Sequence, residues 1–234
     1  MDIQTISFLH IGKTGGTAIK DAWAPFKEEN QKPILINSES GISYKIKFCG
    51  HGTTVKNLDE NELFMFCIRH PVQRFISGFN SRLTEGKPRY NCPWMKSEKI
   101  AFSKFKTPNE LAEGLSSHNT LEKGAALKAM KGIRHVKNPI SLWTGSMEDL
   151  MSIKHRIFFI FNQKTLNADH DLFLNRISIS QEERAKLILR KSHAGAASSS
   201  TKLSALAEKN LQHYYKKDIA LYEKLLEYKI NNFC

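Results

Sequence analysis

The residues with the clearest capacity for chemistry form one glycine- and threonine-rich segment near the N-terminus. It reads His10-Ile11-Gly12-Lys13-Thr14-Gly15-Gly16-Thr17 and follows an apolar run from Ile6 to Ile11. Glycines let a backbone approach an anion closely, and the unsatisfied N–H groups of a first helical turn point at it. Lys13 adds a point charge, and the threonine hydroxyls add donors. The segment therefore predicts a phosphate-binding turn between a strand and a helix over residues 17–26.

The order of residues within this turn distinguishes two kinds of phosphate site. A Walker A loop needs a glycine at position 7, where this chain has Ser7, and here the glycine pair follows the lysine. The octapeptide resembles the 5′-phosphosulfate loop of PAPS-dependent sulfotransferases. Their carbohydrate branch carries His-Ile-Pro-Lys-Thr-Gly-Gly-Thr, and only Gly12 departs from that pattern, in place of proline. The resemblance implies cofactor contacts from Lys13, Thr14, Gly15, Gly16, Thr17 and Ala18. A purely structural strand-to-helix turn is the alternative for a glycine/threonine turn taken alone.

A second motif follows the apolar run Leu63–Ile68, which has the composition of a strand buried on both faces. Arg69 closes this strand, and Pro71 suits the first position of a helix that carries Ser77. A guanidinium can bind a phosphate with two hydrogen bonds. The motif resembles the 3′-phosphate segment of sulfotransferases, which implies nucleotide contacts from Arg69 and Ser77. We interpret Arg74, which matches another arginine of that family, as a structural ion-pairing residue.

A histidine turn, Gly50-His51-Gly52, follows a third predicted strand at Tyr44–Cys49. A histidine with an ordinary pKa near 6.5 can accept the proton of a hydroxyl group at neutral pH. The turn resembles the Gly-His turn of heparan sulfate uronyl sulfotransferases, where the histidine is the general base. We therefore assign this role to His51; a loop histidine bonded to a backbone carbonyl is the alternative. The other candidate bases are His10, His70 and His193.

These groups must be positioned by strands that alternate with helices. The apolar pattern predicts four strands, at residues 6–11, 44–49, 63–68 and 156–161, and a connecting loop at 28–43. Short connections between strand and helix imply parallel pairing, and ligands of such sheets bind beyond the carboxyl ends of the strands. We expect a single α/β domain over 1–234. Its predicted fold is a P-loop-like three-layer sandwich, with a central, mostly parallel sheet of about four to five strands and helices on both faces.

Composition and charge limit the function further. The 234 residues carry a formal net charge of +12, which favours anionic ligands. No apolar run reaches a membrane-spanning length and the first strand begins close to Met1, so we expect a cytoplasmic protein. The four cysteines lack metal-like spacing, and Cys49 and Cys67 are predicted to be small buried thiols in strands.

The resemblance to sulfotransferases implies transfer of a sulfuryl group from PAPS to a hydroxyl of an acceptor, with a carbohydrate as the expected acceptor. The product would be 3′,5′-ADP, and no metal is required. An ATP-dependent kinase is the first alternative, but it needs a complete Walker A loop and a Walker B acid. A non-catalytic RNA- or polyanion-binding protein is the second alternative, but such a protein would not need the phosphate loop and Arg69 to act together. We expect neither a nucleic-acid partner nor a membrane span.

The acceptor itself is not named by any motif. Four basic residues are candidates to contact an acidic sugar, with a solvated surface as the alternative for each: Arg82, Lys87, Arg89 and Arg134. The small-residue loop at 192–201 precedes the last helices, and in sulfotransferases such a loop closes over the nucleotide. This implies a cofactor contact for Lys202. The pattern Tyr215-x-x-Asp218 also resembles the C-terminal region of the carbohydrate branch.

Overall fold

A computed structural model describes residues 3–26, 33–189 and 202–234 of the chain. Its internal contacts divide the chain into two compact units. The first, here called the sheet unit, comprises Met1–Arg69, Ile140–His193 and Leu221–Cys234. The second, the helical unit, comprises His70–Pro139 and Ala194–Ala220. The single domain expected over 1–234 stays a prediction, and the two units are described one at a time.

The sheet unit contains a five-stranded sheet. Its strands are β1 (Ile3–Leu9), β2 (Ile34–Asn37), β3 (Ser43–Phe48), β4 (Leu63–Ile68) and β5 (Ile157–Asn162). They lie in the order β2-β3-β1-β4-β5, and every pairing is parallel except that of β2 with β3. The predicted mostly parallel sheet is therefore confirmed. The loop predicted over 28–43 was wrong for residues 34–37, since the Ile34 and Ile36 side chains of this short strand point into the core and Leu35 points outward.

Helices account for most of the remaining described residues. They are α1 (Gly16–Ala22), α2 (Pro71–Leu83), α3 (Lys96–Lys104), α4 (Pro108–Gly114), α5 (Thr120–Gly132), α6 (Ser141–Thr144), α7 (Met147–Ser152), α8 (Leu166–Arg176), α9 (Gln181–Lys186), α10 (Ala205–Tyr214) and α11 (Lys216–Phe233). Pro71 occupies the first turn of α2, as predicted. The Thr107 hydroxyl accepts a hydrogen bond from the Glu110 N–H and so caps α4.

The two faces of the sheet bury alternate side chains against different helices of the same unit. On one face, Met65 and Cys67 of β4 join a core to which α1 and α8 contribute. On the other, Phe64 and Phe66 join a core to which α6, α7 and the Leu221–Phe233 part of α11 contribute. This alternation is the two-residue period of a strand. The sheet is thus flanked by helices on both faces, and β1 and β4 are buried at its centre.

The helical unit has a core of its own, built by α2 to α5 together with α10. Arg74 is buried on α2, where it lies 3.9 Å from the Asp218 carboxylate and donates to the Asn138 carbonyl at 2.7 Å. The Tyr215 hydroxyl donates to the Val136 carbonyl at 3.1 Å. The structural interpretation of Arg74 is confirmed, and the Tyr215-x-x-Asp218 pattern holds two distant segments of this unit together.

Candidate active site

The predicted phosphate-binding turn lies between β1 and α1 and has an unusual backbone. Lys13 adopts a left-handed conformation with φ 68°, and Gly15 has φ 107°. A positive φ is rare for a residue with a side chain, and such residues concentrate at functional sites. The Ala18 N–H bonds to the Gly15 carbonyl at 2.9 Å and so begins the first turn of α1, where Thr17 is half-buried. The turn therefore holds Lys13 in a backbone conformation that a lysine rarely adopts, whereas Gly15 adopts its own at no steric cost.

Gly16 is required for a different reason, because the space beside it is filled. A Cβ atom at this position would lie 2.8 Å from Cδ2 of His10 and 3.0 Å from the Phe8 ring. Even alanine would force these neighbours to move. The second glycine of the motif therefore lets the start of α1 pack directly against the end of β1.

The Thr14 side chain supports the turn from within. It is fully buried, and its hydroxyl donates to the Ile11 carbonyl at 2.9 Å. Beneath it, the buried Cys67 thiol donates to the Thr14 carbonyl at 2.8 Å, and burial raises the pKa of this thiol. Cys67 is thus a small buried thiol, as predicted, with a role in holding the loop that the sequence did not indicate. Cys49 is only half-buried and lies just after β3, so its predicted place within a strand was wrong.

Two cations meet at the turn. Arg69 follows β4 and donates from Nη1 to the Lys13 carbonyl at 3.3 Å. Burial, and to a smaller extent the charge of Arg69, lower the pKa of Lys13 to about 8. Placing two positive charges in a partly buried turn is unfavourable unless an anion offsets them. The arrangement is suited to a ligand that carries several negative charges.

His51 lies beside the start of this turn. Its Nδ1 is 3.0 Å from the His10 carbonyl oxygen, and the two imidazole rings are 4.0 Å apart between centroids. The Trp143 indole N–H donates to the His51 carbonyl at 2.8 Å. The predicted convergence of the histidine turn and the phosphate loop is thus observed. No sequence signal indicated the contribution of Trp143.

The remaining predicted nucleotide contacts belong to the helical unit. Ser77 is half-buried on α2, and Lys202 is exposed ahead of α10. His70, a rival candidate base, is half-buried at the N-terminal end of α2. His193, the other late candidate, lies outside the described residues, as does the predicted loop at 192–201.

Arg82 is not available to an acceptor. Both interpretations made from the sequence, a contact to an acidic sugar and a solvated surface residue, were wrong. It is buried, and it binds the Glu98 carboxylate through two nitrogens at 2.7 and 2.8 Å. The same carboxylate accepts hydrogen bonds from the backbone N–H groups of Met95 and Arg134, so it links three segments of the helical unit. The side chains of Lys87, Arg89 and Arg134 are exposed.

Positive charge is distributed unequally between the two units. The sheet unit contains 18 lysines and arginines and 16 aspartates and glutamates, a net charge of +2. The helical unit contains 17 of the former and 7 of the latter, a net charge of +10. Arg74 and Arg82 are its two buried cations, and each has a carboxylate partner. The other 15 are exposed, so the helical unit presents a strongly basic surface.

Two further findings concern metals and membranes. Within residues 3–26, 33–189 and 202–234, no group of three or more histidine, cysteine, aspartate or glutamate side chains is arranged to hold a metal ion. Over the same ranges, the helices are too short or too polar to cross a membrane.

The comparison with known families shows the family of the chain. A model described as the sulfotransferase family matches residues 2–224, nearly the whole chain. The chain belongs to the sulfotransferase family. No curated protein matches it. A transferase of this class, with the general activity of sulfuryl transfer, agrees with the predicted phosphate-binding turn at the carboxyl end of β1 and with Arg69 at the end of β4.

Proposed function

We propose that the chain is a PAPS-dependent sulfotransferase whose acceptor is a hydroxyl group of an acidic carbohydrate, as in the uronyl 2-O-sulfotransferase branch. The observation that carries the proposal is the meeting of Lys13 and Arg69 at one glycine turn. PAPS, when bound, supplies a sulfuryl group joined to a phosphate through a bridging oxygen.

The residues of the turn fit such a nucleotide. A side chain at Gly16 would have no space, and the left-handed Lys13 and Gly15 shape the backbone into a concave turn. The first N–H groups of α1 are suited to the 5′ end of the nucleotide, and Arg69 to a second phosphate. Ser77 and Lys202 remain proposed contacts from the family resemblance.

Lys13 is the proposed stabiliser of the departing phosphate. As the bond between sulfur and the bridging oxygen breaks, negative charge develops on that oxygen. An ammonium held there stabilises the transition state more than the ground state. With its pKa lowered to about 8, Lys13 still carries its charge at neutral pH, and partial burial strengthens its electrostatic effect.

His51 is the proposed general base. It would take the proton of the acceptor hydroxyl as the new oxygen–sulfur bond forms, and would later release that proton to water. Because a carbonyl oxygen can only accept, the contact with His10 makes Nδ1 of His51 the donor. In the neutral imidazole, Nε2 then carries the lone pair that can accept a proton. The bond to a backbone carbonyl, which was the alternative interpretation, therefore also orients a base.

An acidic acceptor is favoured by the basic surface of the helical unit. Its 15 exposed cations include Lys87, Arg89 and Arg134. A surface with an excess of cations attracts an anionic partner and raises its rate of association. A cytoplasmic location stays a prediction from the sequence.

Nucleotide binding tests the proposal directly. We expect 3′,5′-ADP to bind more tightly than ATP, 5′-AMP or a short RNA in equilibrium titrations. Arg69→Ala should reduce affinity for 3′,5′-ADP by about ten- to a hundredfold, the effect of losing a charge-assisted hydrogen bond of about 1.5–3 kcal/mol. Affinity for 5′-AMP should change little. Arg184→Ala, which removes a half-buried arginine of the sheet unit that pairs with Asp171, is the matched control. Tight ATP binding with indifference to 3′,5′-ADP would contradict the proposal.

Transfer is measured with radiolabelled PAPS and a set of acceptors: desulfated heparin, chondroitin and a simple phenol. His51→Ala should abolish transfer and leave the affinity for 3′,5′-ADP unchanged, because the base contacts the acceptor and not the nucleotide. A near-normal kcat in this variant would remove His51 from the mechanism. Loss of nucleotide affinity would assign it a different role.

A further inference from the structure

His10 joins the phosphate loop to His51. It lies directly after β1 and is half-buried. Its ring packs so tightly against Gly16 that a methyl group there would be 2.8 Å from Cδ2 and 3.1 Å from Nε2. The same ring lies 4.0 Å from that of His51, with an angle of 33° between the two planes. One side chain therefore contacts both the nucleotide-binding turn and the candidate base.

Residue 10 also determines which nitrogen of His51 carries the hydrogen. Its carbonyl oxygen is 3.0 Å from Nδ1 of His51 and can only accept a hydrogen bond. The His10 ring thus lies against the face of the His51 imidazole, and the His10 carbonyl oxygen contacts its edge. The His10 ring is packed against Gly16, and we expect this contact to help fix the position of the His10 carbonyl as well.

The turn that carries His51 lies on an open part of the surface. His51 is exposed, and a Cβ atom added at either Gly50 or Gly52 would have no neighbour within 4 Å. The Trp143 indole fixes the backbone of the turn through the His51 carbonyl. The contacts to the imidazole itself include two from His10, one from its backbone carbonyl and one from its ring.

His10 is suited to support the base without competing with it. Burial, then the charges of His51 and Lys20, lower the pKa of His10 to about 4. His10 is therefore neutral near pH 7, when it can stack on His51 without adding a like charge.

We propose that His10 is a positioning residue for His51, which it holds in the Nδ1–H tautomer with Nε2 presented to the acceptor hydroxyl. The catalytic part of this inference rests on the proposed function of His51. The positioning part concerns only the orientation and tautomer of one imidazole, which can be measured without any acceptor.

The test compares His10→Ala, which removes the stacked ring, with His10→Phe, which retains a flat ring. His155→Ala is the matched control, since His155 is an exposed histidine of the same unit. Long-range ¹H–¹⁵N correlation spectra at pH 8 report the tautomer of His51. Titration with 3′,5′-ADP reports whether the phosphate loop is intact, and the PAPS assay reports kcat.

We expect the unsubstituted chain and His155→Ala to show the Nδ1–H tautomer at His51. His10→Ala should shift His51 towards Nε2–H, the form that a histidine side chain prefers in water. It should also lower kcat by about tenfold or more, since small displacements of a reacting group are costly, with 3′,5′-ADP affinity within about threefold of normal. His10→Phe should restore much of both the tautomer and kcat.

An unchanged His51 tautomer in His10→Ala would overturn the inference. The inference would also be overturned if His10→Ala lost affinity for 3′,5′-ADP and this loss accounted for the whole loss of activity. A third outcome combines a His51 tautomer shift in His10→Ala with normal transfer by His51→Ala. This outcome would overturn the proposed general base, but it would support the positioning of the His51 ring by His10. The two failures are therefore distinguishable.

Discussion

The two units of this chain differ in where their charged groups lie and in what those groups contact. In the sheet unit, which is almost neutral, Lys13 and Arg69 are brought together at one turn. In the helical unit, which carries a net charge of +10, the buried arginines are paired and the others are exposed. In the proposed function, the few positioned cations perform the chemistry, whereas the many exposed ones provide a general attraction for anions.

The largest expected effect comes from the positioned lysine. Lys13→Ala should lower kcat by about 10²-fold or more, because it removes the charge that is proposed to stabilise the bridging oxygen as negative charge develops there. Initial rates at saturating PAPS measure this effect. Lys154→Ala, an exposed lysine of the same unit, should have no effect. A normal kcat with a raised KM for PAPS would make Lys13 a binding residue only.

The next effect concerns stability. Gly16→Ala should reduce the free energy of unfolding by about 1–3 kcal/mol, the usual cost of overpacking, because the new methyl group would meet His10 and Phe8. Gly50→Ala is the matched control and should be close to neutral, since nothing lies within 4 Å of the new atom. Urea denaturation compares the two. Equal stabilities for the two variants would show that the start of α1 can move away from β1.

A pH dependence of nucleotide binding should follow from the lowered pKa of Lys13. Below about pH 8 Lys13 is protonated and attracts phosphate; above it the charge is lost, so affinity falls as pH rises. Between pH 7 and pH 9 the Kd for 3′,5′-ADP should increase by about tenfold, the limit for one proton over one pH unit beyond the pKa. Phosphate ionisation is nearly complete above pH 7, so it adds little to the change in Kd over this range. Lys13→Arg should show a flat profile; a slope equal to that of the unsubstituted chain would trace the effect to another group.

The smallest effect per residue is expected from substitutions of exposed cations on the helical unit. Replacing Lys128, Lys131 and Arg134 together by alanine should raise KM for desulfated heparin by about threefold per charge at low salt, and less at high salt. Affinity for 3′,5′-ADP should be unaffected. The control removes three exposed lysines of the sheet unit, Lys56, Lys154 and Lys164. If both triple variants behave alike, the contrast between the two units has no functional meaning.

Much of the fold could be predicted where its signals are local in the sequence. The continuous apolar run Leu63–Ile68 and the proline at position 71 specify a buried strand followed by a helix, and both are observed. The position of His51 near the phosphate loop could also be predicted, since the carboxyl ends of parallel strands share one edge. The strand β2 was missed because four residues within a polar stretch are too few to reveal a period of two.

The contacts within the candidate site could not be predicted, because they join residues distant in sequence. The bond between Arg69 and the Lys13 carbonyl spans 56 residues, and that between His51 and the His10 carbonyl spans 41. Arg82 shows the same limit, since its charge predicted exposure and only the fold supplies the Glu98 carboxylate that lets it be buried.

The pairing of Arg74 with Asp218 has a consequence for the synthesis of the chain. A ribosome adding about 5–20 residues per second reaches Asp218 roughly 7 to 30 s after Arg74. During that interval the α2 core lacks Ala207 and Leu211 as well as the partner of a buried guanidinium. The helical unit therefore cannot complete its folding until nearly the whole polypeptide has been translated. Nascent chains arrested before residue 205 should be sensitive to protease throughout the region 70–139.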